Sequence, residues 1–351
     1  MKATIIIISF LLIISCDQVT DTQAPTLEGE WLVPVEQVFD GGPGKDGIPA
    51  LLNPELSSVS DISFMKDDDF IIAVKMGEEV RGYPHPILDW HEIINDEIGS
   101  EKFAVTYCPL TGSAIGWGRK LNGKESTFGV SGLLYNSNLI PYDRLTGSHW
   151  SQMLDKCING ELIGKEPAKF QVIEMSWKSF KNVFPDAQVV NSNTGHSRSY
   201  GVYPYGNYKT DQFSLLFPIQ PTDNRLPWKE RVLGVVNGSF SKAYKLNENF
   251  DGNNVFIDTL AGEEIIVVRN SAAKFGVVFK NYLGSKKIDF IQAVQDSLPV
   301  VMRDSLGNRY NFFGEVVNGP QEGEKLEWMN SYIAYWIAWV GFHPATLIYN
   351  E

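Results

Sequence analysis

Cysteine and histidine are scarce in this chain of 351 residues, which holds three of the former and five of the latter. Three thiols are too few for a disulfide-stapled scaffold, so the fold has to rest on an apolar core. Positive charge is also short: 30 Lys and Arg stand against 42 Asp and Glu, a formal net charge of −12. No basic stripe offsets phosphate repulsion, which argues against nucleic acid as a partner. Long apolar runs are missing as well. The best candidate after the N-terminus, Ile333 to Phe342, is too short to span a bilayer and reads as a buried, Trp-rich core helix. The Gly-rich loop GGPGKDGIP at 41–49 lacks both P-loop spacing and a Ser or Thr after Lys45, which excludes nucleotide binding there.

The N-terminus suggests a compartment. Lys2 precedes an apolar stretch, Ile5 to Ile8 and Phe10 to Ile14, that ends at Ser15 and Cys16. A basic start, a short hydrophobic centre and a small residue before the cut describe a secretory signal peptide over 1–15. The Ile-Ile-Ser-Cys run resembles the bacterial lipobox, which implies cleavage before Cys16 and lipid attachment to its sulfur. The alternative is an ordinary secretory signal with a chance cysteine. Residues 16–30 then read as a lipidated, polar tether. The expectation is an exported lipoprotein, periplasmic or at the cell surface, held to a membrane through its lipid anchor. Cys108 and Cys157 remain, either paired in a compartment that permits disulfides or reduced as ligands for a soft metal.

A weak duplication runs through the rest with an offset near 160 residues. Arg81-Gly82-Tyr83 matches Lys242-Ala243-Tyr244, Asn95–Gly99 matches Ile257–Ala261, and Asp143–Gly147 matches Arg303–Gly307. Asn159-Gly160 matches Asn318-Gly319, and Phe184-Pro185 matches His343-Pro344. Each match alone is ordinary turn chemistry, but their kept order points to two homologous repeats. Both copies read as a hairpin, a helix, short antiparallel strands and a final helix, although in the second the first helix becomes LNENFDGNN, which reads as turn, so the expected class is α+β, β-rich, with two packed repeats. The first covers 31–190 and the second, degenerate copy 231–351. A Tyr-, Pro- and Gly-rich connector at 191–230 packs on them. Pro86 and Asn95–Gly99 bracket the first helix.

Chemistry concentrates in 83–112, where His85, His91 and Cys108 fall together. Imidazole and thiol suit metal ligation, redox exchange and nucleophilic attack near neutral pH. On the expected helix His91 and Asn95 share a face, as do Leu88 and Glu92. HEIIN resembles the zinc motif H-E-x-x-H, but Asn95 replaces the second histidine, against a protease of that kind. The bland reading is a histidine bonded to a neighbouring loop. Cys108 ends an apolar strand before Pro109, as either a functional thiol or a buried structural one. His149 and Cys157 complete a candidate metal set. Asn95, Asp96, Tyr135, Asn136, Asp143 and Arg144 are candidates for a polar pocket, or else turn chemistry with Asp143 and Arg144 as an ion pair.

GGPGKDGIPAL, RGYPHPILDWHEIIND, VTYCPLTGSAIGW, FGVSGLLYNSNLIPYDRLTGSHWSQ and RLPWKERVLGV together resemble the domain of unknown function 3179 family of bacteria and archaea. The resemblance covers most of 40–350 and implies kinship without an activity. Many relatives carry Cys-Pro-Leu-Cys-Gly where this chain has Thr111 in place of the second cysteine, which speaks against a local C-x-x-C motif. Three functions compete. The leading one is a metal-binding or redox lipoprotein holding copper, zinc or iron through His85, His91, Cys108, His149 and Cys157. Next comes a non-catalytic lipoprotein with a cleft for a small molecule or glycan, and then an enzyme with Cys108 as nucleophile and His91 as base.

Overall fold

The computed structural model describes residues 27–248, 252–291 and 297–350. The expected signal peptide and the lipidated Cys16 lie outside the described residues. Strands dominate: the protein is 43% strand and 9% helix, with three α-helices of seven residues each among the described residues. The expected α+β class is therefore corrected to a mostly β protein built from many small sheets. Among the described residues no helix is long and apolar enough to cross a membrane.

The correction centres on residues 85–98. The spacing predicts one helix through Asn95, but α1 spans only His85–His91. Glu92 takes φ +58°, an unfavourable value for a residue with a side chain, and turns the chain out of the helix. Ile93–Ile98 then forms a strand between Glu101–Cys108 and Leu51–Leu52. Ile93 and Ile94 are both fully buried because this strand is covered on both faces. Such a strand reads as a continuous apolar run and is easily mistaken for the flank of a helix. His91 and Asn95 consequently share no helix face.

Two groups of strands have the same connectivity. The hairpin Phe70–Met76 and Glu79–Pro84 is flanked by Ile173–Ser176 on one side and, in parallel, by Gln188–Val190 on the other. The hairpin Arg231–Asn237 and Phe240–Lys245 is flanked likewise by Ser331–Tyr335 and, in parallel, by Leu347–Ile348. In each, a helix lies between the two flanking strands: α2, Trp177–Val183, and α3, Trp336–Phe342. A three-stranded meander follows each hairpin, Ile93–Ile98, Glu101–Cys108 and Ser113–Gly118 in one, Asn254–Leu260, Glu263–Asn270 and Phe275–Lys280 in the other.

Matching polar anchors tie each meander to its hairpin. Arg81 Nη1 and the Tyr83 hydroxyl donate to Asp96 at 2.9 and 2.7 Å. Across the molecule, Lys242 Nζ stands 2.6 Å from Asp258 and the Tyr244 hydroxyl donates to it at 2.8 Å. One apolar cluster joins the halves, with Trp117, Trp150, Cys108 and Cys157 packed in the same core as Trp336 and Trp339. Burial of these large aromatic surfaces makes the contact between halves a true core.

Candidate functional site

The described residues disperse the histidines and cysteines that the sequence brought forward. His91 is fully buried, and its Nδ1–H donates to the Pro49 carbonyl at 2.7 Å. Its Nε2 then accepts from the Tyr200 hydroxyl at 2.7 Å. Burial pushes this imidazole down to about 4, so it stays neutral with both nitrogens occupied. His149 stacks on Trp31 and donates from Nδ1 to Asn159 Oδ1 at 3.0 Å. Cys108 and Cys157 are free, buried thiols whose sulfurs donate to the carbonyls of Ser137 and Asn159. Burial pushes each thiol up to about 11, and buried Glu92 adds to the effect at Cys108. Among the described residues no group of three or more His, Cys, Asp or Glu is placed to hold a metal ion.

The six polar-pocket candidates are likewise spent on structure. Asn95 donates to the carbonyls of Leu51 and Phe128 and accepts from the Phe128 N–H. Asp96 is the anchor already described. Asn136 donates to the carbonyls of Gln220 and Gly341, and Tyr135 packs edge-on against Phe342. Asp143 accepts from Thr146 and from the Trp150 indole. Asp304 in the other half accepts in the same way from the Leu306 N–H and the Tyr310 hydroxyl. Arg144 pairs with Asp46 at 2.6 Å on the surface.

His85 leads elsewhere. It opens α1 and lines a cavity of about 200 Å³ with Asp89, Phe70, Tyr107, Arg231 and Tyr335. Lys209 of the connector is also in the lining. Both halves and the connector thus contribute to the lining. Turn chemistry helps shape the wall. Gly112 lies in the same lining with φ +61°, and a Cβ there would come within 3.0 Å of the Tyr335 ring. Only glycine permits both the turn after Cys108 and this close approach.

Beneath the cavity lies a buried charged triad. Arg231 Nη2 donates to Glu174 Oε1, while His85 Nε2 lies 3.2 Å from Glu174 Oε2. The second contact is close but misaligned: both of its atoms are inaccessible and lack a hydrogen bond. Burial alone would raise the Glu174 carboxyl, yet the Arg231 guanidinium beside it holds it below the ordinary range. Burial lowers His85 in turn, and Arg231 adds to that, outweighing the pull of Glu174. The triad therefore reads as neutral imidazole, carboxylate and guanidinium. His85 is further packed against the Tyr107 ring at 4.1 Å between centroids.

Asp89 sits one turn beyond His85 on α1. It is 7% exposed, and no hydrogen bond to it occurs among the described residues. Burial pushes its carboxyl up to about 7; Lys209 opposes this and Asp69 adds to it. A carboxyl poised near neutrality in a cavity is able to hold or release a proton at working pH.

Sequence reasoning missed Asp89, Tyr107, Glu174, Lys209, Arg231 and Tyr335. The i, i+4 spacing of His85 and Asp89 was available as a signal. Nothing local marked Glu174 or Arg231, 57 residues apart, as partners.

The model of a family described as "Protein of unknown function (DUF3179)" matches residues 45–346, so the chain belongs to that family. No curated protein and no solved structure matches the chain.

Proposed function

We propose that this member of the family binds a small polar molecule in the cavity lined by His85, Asp89, Tyr107, Arg231 and Tyr335, as a lipid-anchored protein of the cell envelope. One observation carries the reading: the Asp89 carboxyl, 7% exposed and with no hydrogen bond or ion pair among the described residues, faces a cavity that three separate parts of the chain converge to form. Burying such a group unpaired is costly, and proteins keep such arrangements mostly where function needs them. Small-molecule sites commonly combine apolar walls with a few convergent polar groups, as Phe70, Tyr107 and Tyr335 do here with Asp89 and Arg231. The envelope setting rests on the leader and Cys16 alone.

A thermal-shift screen against amino acids, short carboxylates, amines and monosaccharides tests the reading. A ligand at about 100 times its Kd stabilises by roughly 2.7 kcal/mol. At least one probe class should raise the melting temperature of the natural chain and lose its effect with Asp89→Asn. No shift with any class would overturn the proposal. Stoichiometric uptake of copper, zinc or iron would favour the competing metal or redox reading from the histidines and cysteines.

A further inference from the structure

We infer that the ligand is a small zwitterion, its ammonium group against Asp89 and its carboxylate against Arg231 and Lys209. The inference rests on the cavity being the binding site. Most charges around that cavity are already engaged. Asp69 accepts from the Lys66 N–H at 2.7 Å, and Asp68 pairs with Lys274 at 3.1 Å. Glu174 is held by Arg231. Asp89 has no hydrogen bond or ion pair among the described residues, and Lys209 only lies over the Tyr203 ring at 4.4 Å. Arg231 spends one donor on Glu174 and stacks over Phe70 at 4.0 Å, and a guanidinium has further N–H groups to give.

One acid and one base thus line the same cavity without pairing with each other. A bare anion at Arg231 and Lys209 would face the Asp89 carboxyl. A bare cation at Asp89 would face the guanidinium. A molecule carrying both charges meets each with its opposite. The rings of Phe70, Tyr107 and Tyr335 cover the carbons between and favour a nearby cation. The volume, about 200 Å³, is below the roughly 300–1,000 Å³ of sites for drug-sized ligands. That restricts the ligand to a few carbons, the size of a simple amino acid.

Binding should release a proton. Asp89 is faced by Lys209 from the connector, by Asp68 and Asp69 from the loop before Phe70, and by His85 on its own helix. Tyr107, Arg231 and Tyr335 face it from the strands. With its carboxyl raised by burial to about 7, part of the population carries a proton there at pH 7, and an ammonium group laid against it drives that proton off.

Isothermal titration of the full-length chain at pH 7 tests this, with glycine, L-alanine, β-alanine and 4-aminobutanoate beside propionate and propylamine. One zwitterion should bind at least tenfold tighter than either singly charged probe. Titrations in two buffers of different ionisation enthalpy should report net release of protons on binding, and none would count against the ammonium lying on Asp89. Asp89→Asn should abolish that release and weaken binding at least tenfold. Lys209→Met, at an exposed position, should also weaken the zwitterion relative to propylamine. Propionate or propylamine binding as tightly as the zwitterions would overturn the inference and leave the cavity as a binding site. Failure of these probes together with every class in the thermal screen would overturn the binding reading itself.

Discussion

Replacing Arg231 by Met offers the sharpest test of the triad. The side chains of Arg231 and Glu174 are 14% and 4% exposed, so the substitution leaves a carboxylate buried beside an imidazole that is itself neutral. Breaking a buried pair by removing one partner costs about 3–5 kcal/mol, whereas removing both charges is often close to neutral. Arg231→Met should therefore lose about that much at pH 8, and Arg231→Met with Glu174→Gln should recover most of it.

The pH dependence has a definite sign. In the natural chain Glu174 is held below its unfolded value, so it contributes stability above about pH 4.5 that is lost as pH falls through the lowered folded value. Without Arg231 the carboxyl rises, and its contribution is instead present at low pH and lost as pH increases. The gap between natural and variant chains should widen from pH 5 to pH 8. Urea unfolding followed by fluorescence of the nine tryptophans measures it. A loss under about 1 kcal/mol at pH 8, or a double variant whose cost equals the sum of the singles, would refute the argument.

Other expectations follow from the same geometry. Asp89 and Glu92 are raised by burial to about 7 and about 8, so both contribute stability at pH 5 that fades as pH rises through those values. Asp89→Asn should flatten part of that decline in urea titrations between pH 5 and 9, and an unchanged slope would count against its burial. Cys108 and Cys157, free and raised to about 11, should resist a thiol-colouring disulfide reagent at pH 8 and react as two equivalents in urea. Rapid labelling of either in the native state would contradict the packing. Gly234→Ala should cost about 1–3 kcal/mol by overpacking, because its Cβ would fall 2.1 Å from the Trp339 ring. An unchanged melting temperature would show that α3 can move away.

Much of the backbone plan was legible. The hairpin expected to open each copy forms at 70–84 and at 231–245. The two terminal helices end at Phe184-Pro185 and His343-Pro344 as expected. The first helix was overread because Ile93 and Ile94 are buried on both faces of a central strand, where helix and strand patterns look alike. Residues 83–112 do hold part of the candidate site, through His85, Asp89, Tyr107 and Gly112. The conspicuous His91 and Cys108 stand outside it, each satisfied by a backbone carbonyl.

The sequence by itself determined where the chain turns, which strands form hairpins, and which short stretch holds polar chemistry. Those properties depend on residues a few positions apart, through φ preferences and apolar periodicity. Only the tertiary structure decided that Glu174 and Arg231 meet under His85, and that Asp89 is left without a hydrogen bond or ion pair among the described residues. Charge pairing and desolvation depend on which distant side chains share a buried space, and one-dimensional spacing carries no record of that.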